Sequence, residues 1–225
     1  MTSRVELDPG VYRWGDLRSH AELVLAGAGI ESARAEARWI VERAAGGPPA
    51  VDEAAPARAV GHVVDMLERR AEGHPLQHVL GRWAFRRLEL VVDHRALIPR
   101  VETEVVAEVA LEEAVRLGLR RRPADNSGGA ESPGFLIADL GTGSGVLALA
   151  LVDELPDVKV WATDVSPDAL AVARANLAAV GLAARRVHLA EGSWFDALPD
   201  DLCRRFHVIV SNPPYVAEGE YADLP

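Results

Sequence analysis

Apolar positions in the first third of the chain recur at helical spacing. Leu17, Ala21, Leu23, Val24 and Leu25 mark one helix over Asp16 to Ala26. Ala33, Ala37, Trp39, Ile40 and Val41 mark a second, running from Ser32 to the Gly46-Gly47-Pro48-Pro49 stop. Val60, Val63, Val64, Met66 and Leu67 mark a third that ends near Gly73. One apolar face on each predicts a small helical bundle over residues 1–74, which could serve as a substrate-docking domain. From Pro75 to Arg100 the pattern shortens to β-like runs, Trp83–Phe85, Leu88–Val92 and Ala96–Ile98, broken by Arg86-Arg87 and Asp93-His94. These predict a connecting β-hairpin over 75–100. A helix over Glu102 to Leu119 then opens a third region, 101–225. Within it, residues 121–134 combine Pro, Gly, Ser and Asn with no apolar side chain larger than alanine, the composition of a mobile surface loop.

After Gly134 short β runs alternate with helices: Phe135–Leu140, Val146–Glu154, Val158–Thr163, Asp168–Val180, Val187–Ala190 and Phe206–Ser211. This βαβαβ rhythm predicts an α/β fold with a parallel, doubly wound sheet covered by helices. Ligands of such sheets sit at the carboxyl ends of the strands.

Composition narrows the classes. The chain has 225 residues, 49% apolar and 26% charged, which excludes collagen-like and wholly disordered proteins and suits one catalytic domain plus a companion. The longest uncharged apolar stretch, Leu140 to Val152, carries three glycines and is shorter than the roughly 20 residues of a membrane span, so no membrane association is expected. The N-terminus has no apolar signal region, and a cytoplasmic location is expected. Cys203 is the single cysteine, so no intramolecular disulfide can form. Net charge is −10, unevenly spread: residues 1–90 hold 12 basic and 13 acidic side chains, residues 135–225 hold 6 and 13. Without a basic stripe in the second half, direct contact with nucleic acid is not expected.

The chemistry is concentrated at three strand ends. The first strand of the α/β region ends in Asp139-Leu140-Gly141-Thr142-Gly143-Ser144-Gly145 and runs straight into an apolar helix. Glycines permit a sharp turn and close approach of a ligand to the main chain, and a helix N-terminus offers unpaired N–H groups. Val146 stands where the dinucleotide fingerprint has its third glycine, and no lysine followed by Ser or Thr makes a P-loop. Nineteen residues past Gly145, Asp164 closes the second strand, placed to accept hydrogen bonds from the two hydroxyls of a ribose; the bland alternative is a turn acid before Ser166-Pro167-Asp168. The fourth strand ends in Ser211-Asn212-Pro213-Pro214-Tyr215. There the Asn212 side-chain oxygen and the Pro213 carbonyl are hydrogen-bond acceptors and Tyr215 offers a flat face for stacking; the bland alternative is a strand-terminating turn. Neither Pro213 nor Pro214 has an N–H to donate, which makes the turn stiff and rich in carbonyls.

The glycine loop and the acid closing the next strand resemble the class I S-adenosylmethionine-dependent methyltransferases, and Asn-Pro-Pro-Tyr is similar to the motif of those that alkylate a conjugated nitrogen. Within that class the chain resembles the HemK/PrmC family of protein glutamine N5-methyltransferases. Pro75-Leu76-Gln77, Gly81, Ile98-Pro99-Arg100 with Glu102-Thr103-Glu104, the glycine loop, Asp164, Trp194-Phe195 and Val210 to Tyr215 carry that resemblance. It implies a Rossmann-like sheet behind a helical N-terminal domain, and S-adenosylmethionine bound by Asp139, Gly141, Thr142, Gly143, Ser144, Gly145, Asp164, Trp194 and Asn212. It further implies that Asn212, Pro213, Pro214 and Tyr215 hold the substrate, the glutamine of a Gly-Gly-Gln tripeptide on peptide chain release factors, with Asn212, Pro213 and Tyr215 catalytic. Arg100 and Glu102 would either shape the cofactor entrance or form a plain ion pair. No metal is expected: His74 and His78 are separated by Pro75 and lack a third ligand. Val101 replaces the family's proline, His78 an aromatic, and Ser193 the acid before the tryptophan, which Glu191 or Asp196 could replace. Three strands that follow in the family have no counterpart, so the methyltransferase domain is expected to be incomplete, with Phe206–Val210 an open edge. The rival readings are a base N-methyltransferase acting on DNA or RNA and a catalytically impaired fragment.

Overall fold

A computed structural model describes residues 12–119 and 134–213. Chain contacts divide the protein into two units, Met1–Arg82 and Trp83–Pro225. In the first, α1 (Trp14–Gly27), α2 (Ala33–Ala45) and α3 (Ala57–Ala71) pack mutually around Leu17, Leu25, Ile40, Met66 and Leu67. Glu36 is buried on the inner face of α2; the Arg70 guanidinium from α3 holds it at 2.6 and 3.2 Å, and the Ser32 hydroxyl donates to it at 2.7 Å. Those bonds, Arg70 first, hold its carboxyl below the usual range. Ser32 precedes α2 but bonds Glu36 instead of a backbone N–H.

The region from Pro75 to Arg100 differs from the expected β runs. It begins with a short helix, α4 (Leu76–Leu80), started by Pro75 and ended by Gly81 in the left-handed conformation. Five residues are too few for helical periodicity to stand out from a β pattern. β1 (Arg82–Phe85) and β2 (Leu88–Val91) follow as a two-stranded sheet about the Arg86-Arg87 turn. Ala96–Ile98 is not a strand: Asp93 and Arg95 bond one another in a turn, and Ile98 precedes a proline.

The second unit holds a four-stranded, all-parallel sheet in the order β5-β4-β3-β6, made of β3 (Phe135–Leu140), β4 (Val158–Asp164), β5 (Val187–Glu191) and β6 (Val208–Ser211). The chain winds outward from β3 through β4 to β5, then returns to the other side of β3, so the switch point lies beside the carboxyl end of β3. α5 (Val101–Arg116) packs on α6 (Val146–Glu154), whose residues Val146 to Val152 are all buried. α7 (Pro167–Asn176) begins with Ser166 accepting from the Ala169 N–H, and ends earlier than its apolar pattern suggests, passing into 3-10 structure over Leu177–Arg186 with a break at Gly181. The Arg186 guanidinium donates to the carbonyls of Val152, Leu155 and Val158, closing the C-terminal end of α6. Among the described residues β6 is an edge strand, with Ile209 53% exposed, and no helix is long and apolar enough to cross a membrane. Residues 121–133 of the expected surface loop, together with Pro214 and Tyr215, lie outside the described residues.

Candidate active site

β3, β4 and β6 deliver their carboxyl ends to one cavity of about 420 Å³, within the size range of small-molecule sites. Its wall takes Leu140, Gly141 and Gly143 from the β3 loop, Asp164, Val165 and Ser166 from the end of β4, Gly192 and Trp194 from the segment after β5, and Asn212 and Pro213 after β6. Arg95, Ala96 and Leu97 close the remaining side.

Backbone bonds explain why these segments converge. The Gly141 and Thr142 N–H groups both donate to the Thr163 carbonyl at 2.9 Å, fastening the glycine loop to β4. The Gly192 N–H donates to the Asp164 carbonyl at 2.9 Å, and the Thr163 hydroxyl to the Trp194 carbonyl at 3.2 Å. Gly141 and Gly143 have φ of +72° and +57°, and a Cβ on either would meet no protein atom within 4 Å. They combine a conformation that L side chains rarely adopt with open space at the cavity wall. Gly145, at φ +85°, differs: a Cβ there would lie 3.2 Å from that of Ala173, so the glycine lets the loop approach α7 closely.

Asp164 makes the bonds of a turn acid and also lines the cavity. Its Oδ2 accepts from the Gly143 N–H at 2.8 Å and its Oδ1 from the Ser166 N–H at 2.9 Å, the bonds of a turn acid. It also lines the cavity, and each carboxylate oxygen retains acceptor capacity after one bond. Trp194 lines the same cavity and is 54% exposed, at φ +47°. Asp139, Thr142, Ser144 and Gly145 are not in the wall. Asp139 is fully buried behind it; its Oδ2 accepts from the Thr142 hydroxyl at 2.6 Å and the Ala148 N–H at 3.2 Å, while its Oδ1 has no partner. Burial pushes its carboxyl up to about 6, against the pull of those two bonds. Arg100 and Glu102 are exposed, outside the wall, and form no ion pair with one another. Ser193, Glu191 and Asp196 are also outside it.

Four residues at or behind the site were not among the site residues expected from the sequence. Asn176 is buried: its Nδ2 donates to the carbonyls of Ser144 and Val91 at 3.0 Å and its Oδ1 accepts from the Val91 N–H at 2.7 Å, tying the glycine loop to β2. Its signal was available, since Asn176 continues the inward stripe of Ala169, Val172 and Ala173, where a polar residue needs partners. Leu97 fell within the run Ala96–Ile98 read as a strand, and Arg95 directly before it. Buried Thr103 accepts from Asn212 Nδ2 at 2.8 Å, a contact across 109 residues that no local pattern announces.

Two family models match the chain: PrmC N-terminal domain over residues 16–81 and methyltransferase small domain over residues 131–223. Among curated relatives, the release factor glutamine methyltransferase of Deinococcus radiodurans is 39% identical over 216 residues, covering 92% of this chain and 68% of that protein. That of Moorella thermoacetica is 40% identical over 174 residues (77% and 54%), and that of Escherichia coli 40% over 155 residues (69% and 48%). The chain thus spans about half the length of several of the relatives it matches. The doubly wound parallel sheet is that of the class I S-adenosylmethionine-dependent methyltransferases, and with both regions matched and this identity sustained over most of its length, the chain belongs to the family of release factor glutamine methyltransferases.

Proposed function

We propose that the protein transfers a methyl group from S-adenosylmethionine to the side-chain amide nitrogen of the glutamine in the Gly-Gly-Gln tripeptide of peptide chain release factors, in the cytoplasm. The observation that carries this reading is the position of Asn212 and Pro213 in the wall of the cavity bounded by the glycine loop and Asp164. The residues fit the cofactor. Gly141 and Gly143 leave room against the main chain, the Asp164 carboxylate suits a ribose diol, and exposed Trp194 offers a flat face for a base. The unpartnered Oδ1 of Asp139 leaves buried negative charge that a cationic ligand in the adjoining cavity would offset.

When bound, S-adenosylmethionine supplies an electrophilic methyl group, so that a nitrogen–carbon bond forms as a sulfur–carbon bond breaks. An amide nitrogen is a weak nucleophile because its lone pair is delocalised. The Asn212 Oδ1 and the Pro213 carbonyl accept from its N–H groups, aim the nitrogen and receive the growing positive charge of its hydrogens before one proton passes to water. Orientation of this kind is worth up to about 7–11 kcal/mol in well-aligned systems.

Two measurements test the proposal. Methyl label from the cofactor should appear on a release factor and disappear when its tripeptide glutamine is changed to alanine; label that survives the change, or appears on RNA, would refute it. Cofactor affinity should also follow Asp139. A cationic ligand favours the ionised carboxylate, so binding releases a proton and tightens as pH rises toward and through about 6, levelling above it. The gain should approach about tenfold per pH unit at most on the acid side. In the unliganded chain the same raised carboxyl lowers stability between its ordinary 3.8 and about 6, with no further change above. Calorimetry across this range reads both proton release and affinity, and a flat profile would refute the coupling.

A further inference from the structure

Thr103 sits in the first turn of α5, 4% exposed, and its own N–H is already satisfied by the Arg100 carbonyl at 3.0 Å. Its hydroxyl oxygen instead accepts from Nδ2 of Asn212 at 2.8 Å. That contact holds the amide at one position and tilt. With the nitrogen directed to α5, the oxygen is the opposite end of the plane that Thr103 holds.

We propose that Thr103 is a positioning residue that holds the plane of the Asn212 amide toward the substrate glutamine. This rests on the reading of Asn212 as an acceptor of the glutamine amide, for which a side chain free to swing would lose its aim. The helix end carrying Thr103 is itself fastened. The Arg86 N–H donates to Glu104 Oε1 at 2.9 Å, and the Arg86 guanidinium donates to Glu108 Oε2 at 2.7 Å. Ala107, Ala110, Leu111 and Ala114 bury the inner face of the same helix. Thr103 therefore offers its hydroxyl from a rigid support, as preorganisation requires.

The test compares Thr103→Val, which keeps the shape and loses the hydroxyl, with Thr103→Ser, which keeps the hydroxyl. With 15N-labelled protein, the Asn212 side-chain amide signals, identified by their loss in Asn212→Asp, should exchange slowly with water in the wild type and the serine variant and rapidly in the valine variant. In methyl transfer, Thr103→Val should lower kcat about tenfold to a hundredfold, with KM for the release factor and cofactor affinity unchanged within about twofold, and Thr103→Ser should restore most of the loss. In an Asn212→Ala background the valine change should add nothing. Unchanged kcat in the valine variant, an equal defect in the serine variant, or additive losses in the double variant would overturn the proposal. Should Thr103→Val not fold, the wild-type amide decides: exchange as fast as that of exposed asparagines overturns it. A wild-type chain that methylates nothing while protecting this amide would defeat the proposed function and leave the orienting contact standing.

Discussion

Replacing Asn212 by alanine is expected to lower methyl transfer by about two to three orders of magnitude, the usual cost of removing one preorganised polar partner of a transition state. Asn212 meets the cavity from the end of β6, where Ser211 donates its hydroxyl to the Leu140 carbonyl at 2.7 Å and so pins that end to β3. The site keeps its shape when this side chain is shortened, but the reacting nitrogen loses an acceptor that directs it. The defect should therefore fall on kcat, with release-factor KM changed by no more than about threefold. Asn212 and the cofactor-side residues share one wall, so cofactor affinity is the control: a loss there as large as the loss in rate would move Asn212 from substrate orientation to cofactor binding. Rapid-quench measurement of a single turnover separates the methyl-transfer step from product release. A single-turnover rate within about fivefold of wild type would remove Asn212 from the chemistry.

What the sequence made legible was local or periodic. β3 and α6 stand on the boundaries expected of them, because a six-residue apolar run and a nine-residue buried helix are bounded by a glycine-rich turn that suits no other structure. The parallel sheet followed from the alternation of such segments. Gly141, Gly143, Asp164, Trp194, Asn212 and Pro213 meet around one cavity because each ends or closely follows a strand of that sheet. The illegible parts depend on contacts distant in the chain or on side-chain choices that a pattern does not encode. α4 is too short to show a period. The loop carrying Arg95 to Leu97 has β-like residues and no partner strand among the described residues, so its path to the cavity follows from the Asp93–Arg95 turn. The carboxyl of Asp93, bonded by Arg95, is held down at about 2. Asn176 and Thr103 act across 85 and 109 residues respectively. Arg86, read as a break between two β runs, is the centre of an ion-pair network.

That network makes Arg86→Met the substitution with the largest expected effect on stability. Arg86 occupies the turn between β1 and β2 at φ +51°, a conformation that costs a non-glycine residue about 1–2 kcal/mol and must be compensated. Its guanidinium donates to both oxygens of Glu154 at 2.5 and 3.1 Å and to Glu108 at 2.7 Å. These bonds, that to Glu154 foremost, make the guanidinium hold its proton more firmly than usual. The Glu154 side chain is only 6% exposed and lies at the C-terminal end of α6, where the helix dipole already disfavours a carboxylate. Methionine fills similar space but leaves Glu154 without the cation it now faces, and breaking one side of a buried pair costs about 3–5 kcal/mol. The melting temperature at neutral pH should fall by on the order of 10 °C or more. Adding Glu154→Gln should recover part of this loss, because the neutral amide no longer carries charge into the interior; a merely steric defect would not be relieved. Acid should relieve it in the same way, since protonating Glu154 removes the charge that Arg86 now faces, so the gap between wild type and variant is expected to narrow as pH falls. A neutral-pH destabilisation below about 1 kcal/mol, or a double variant no more stable than Arg86→Met, would show that the network is incidental to stability.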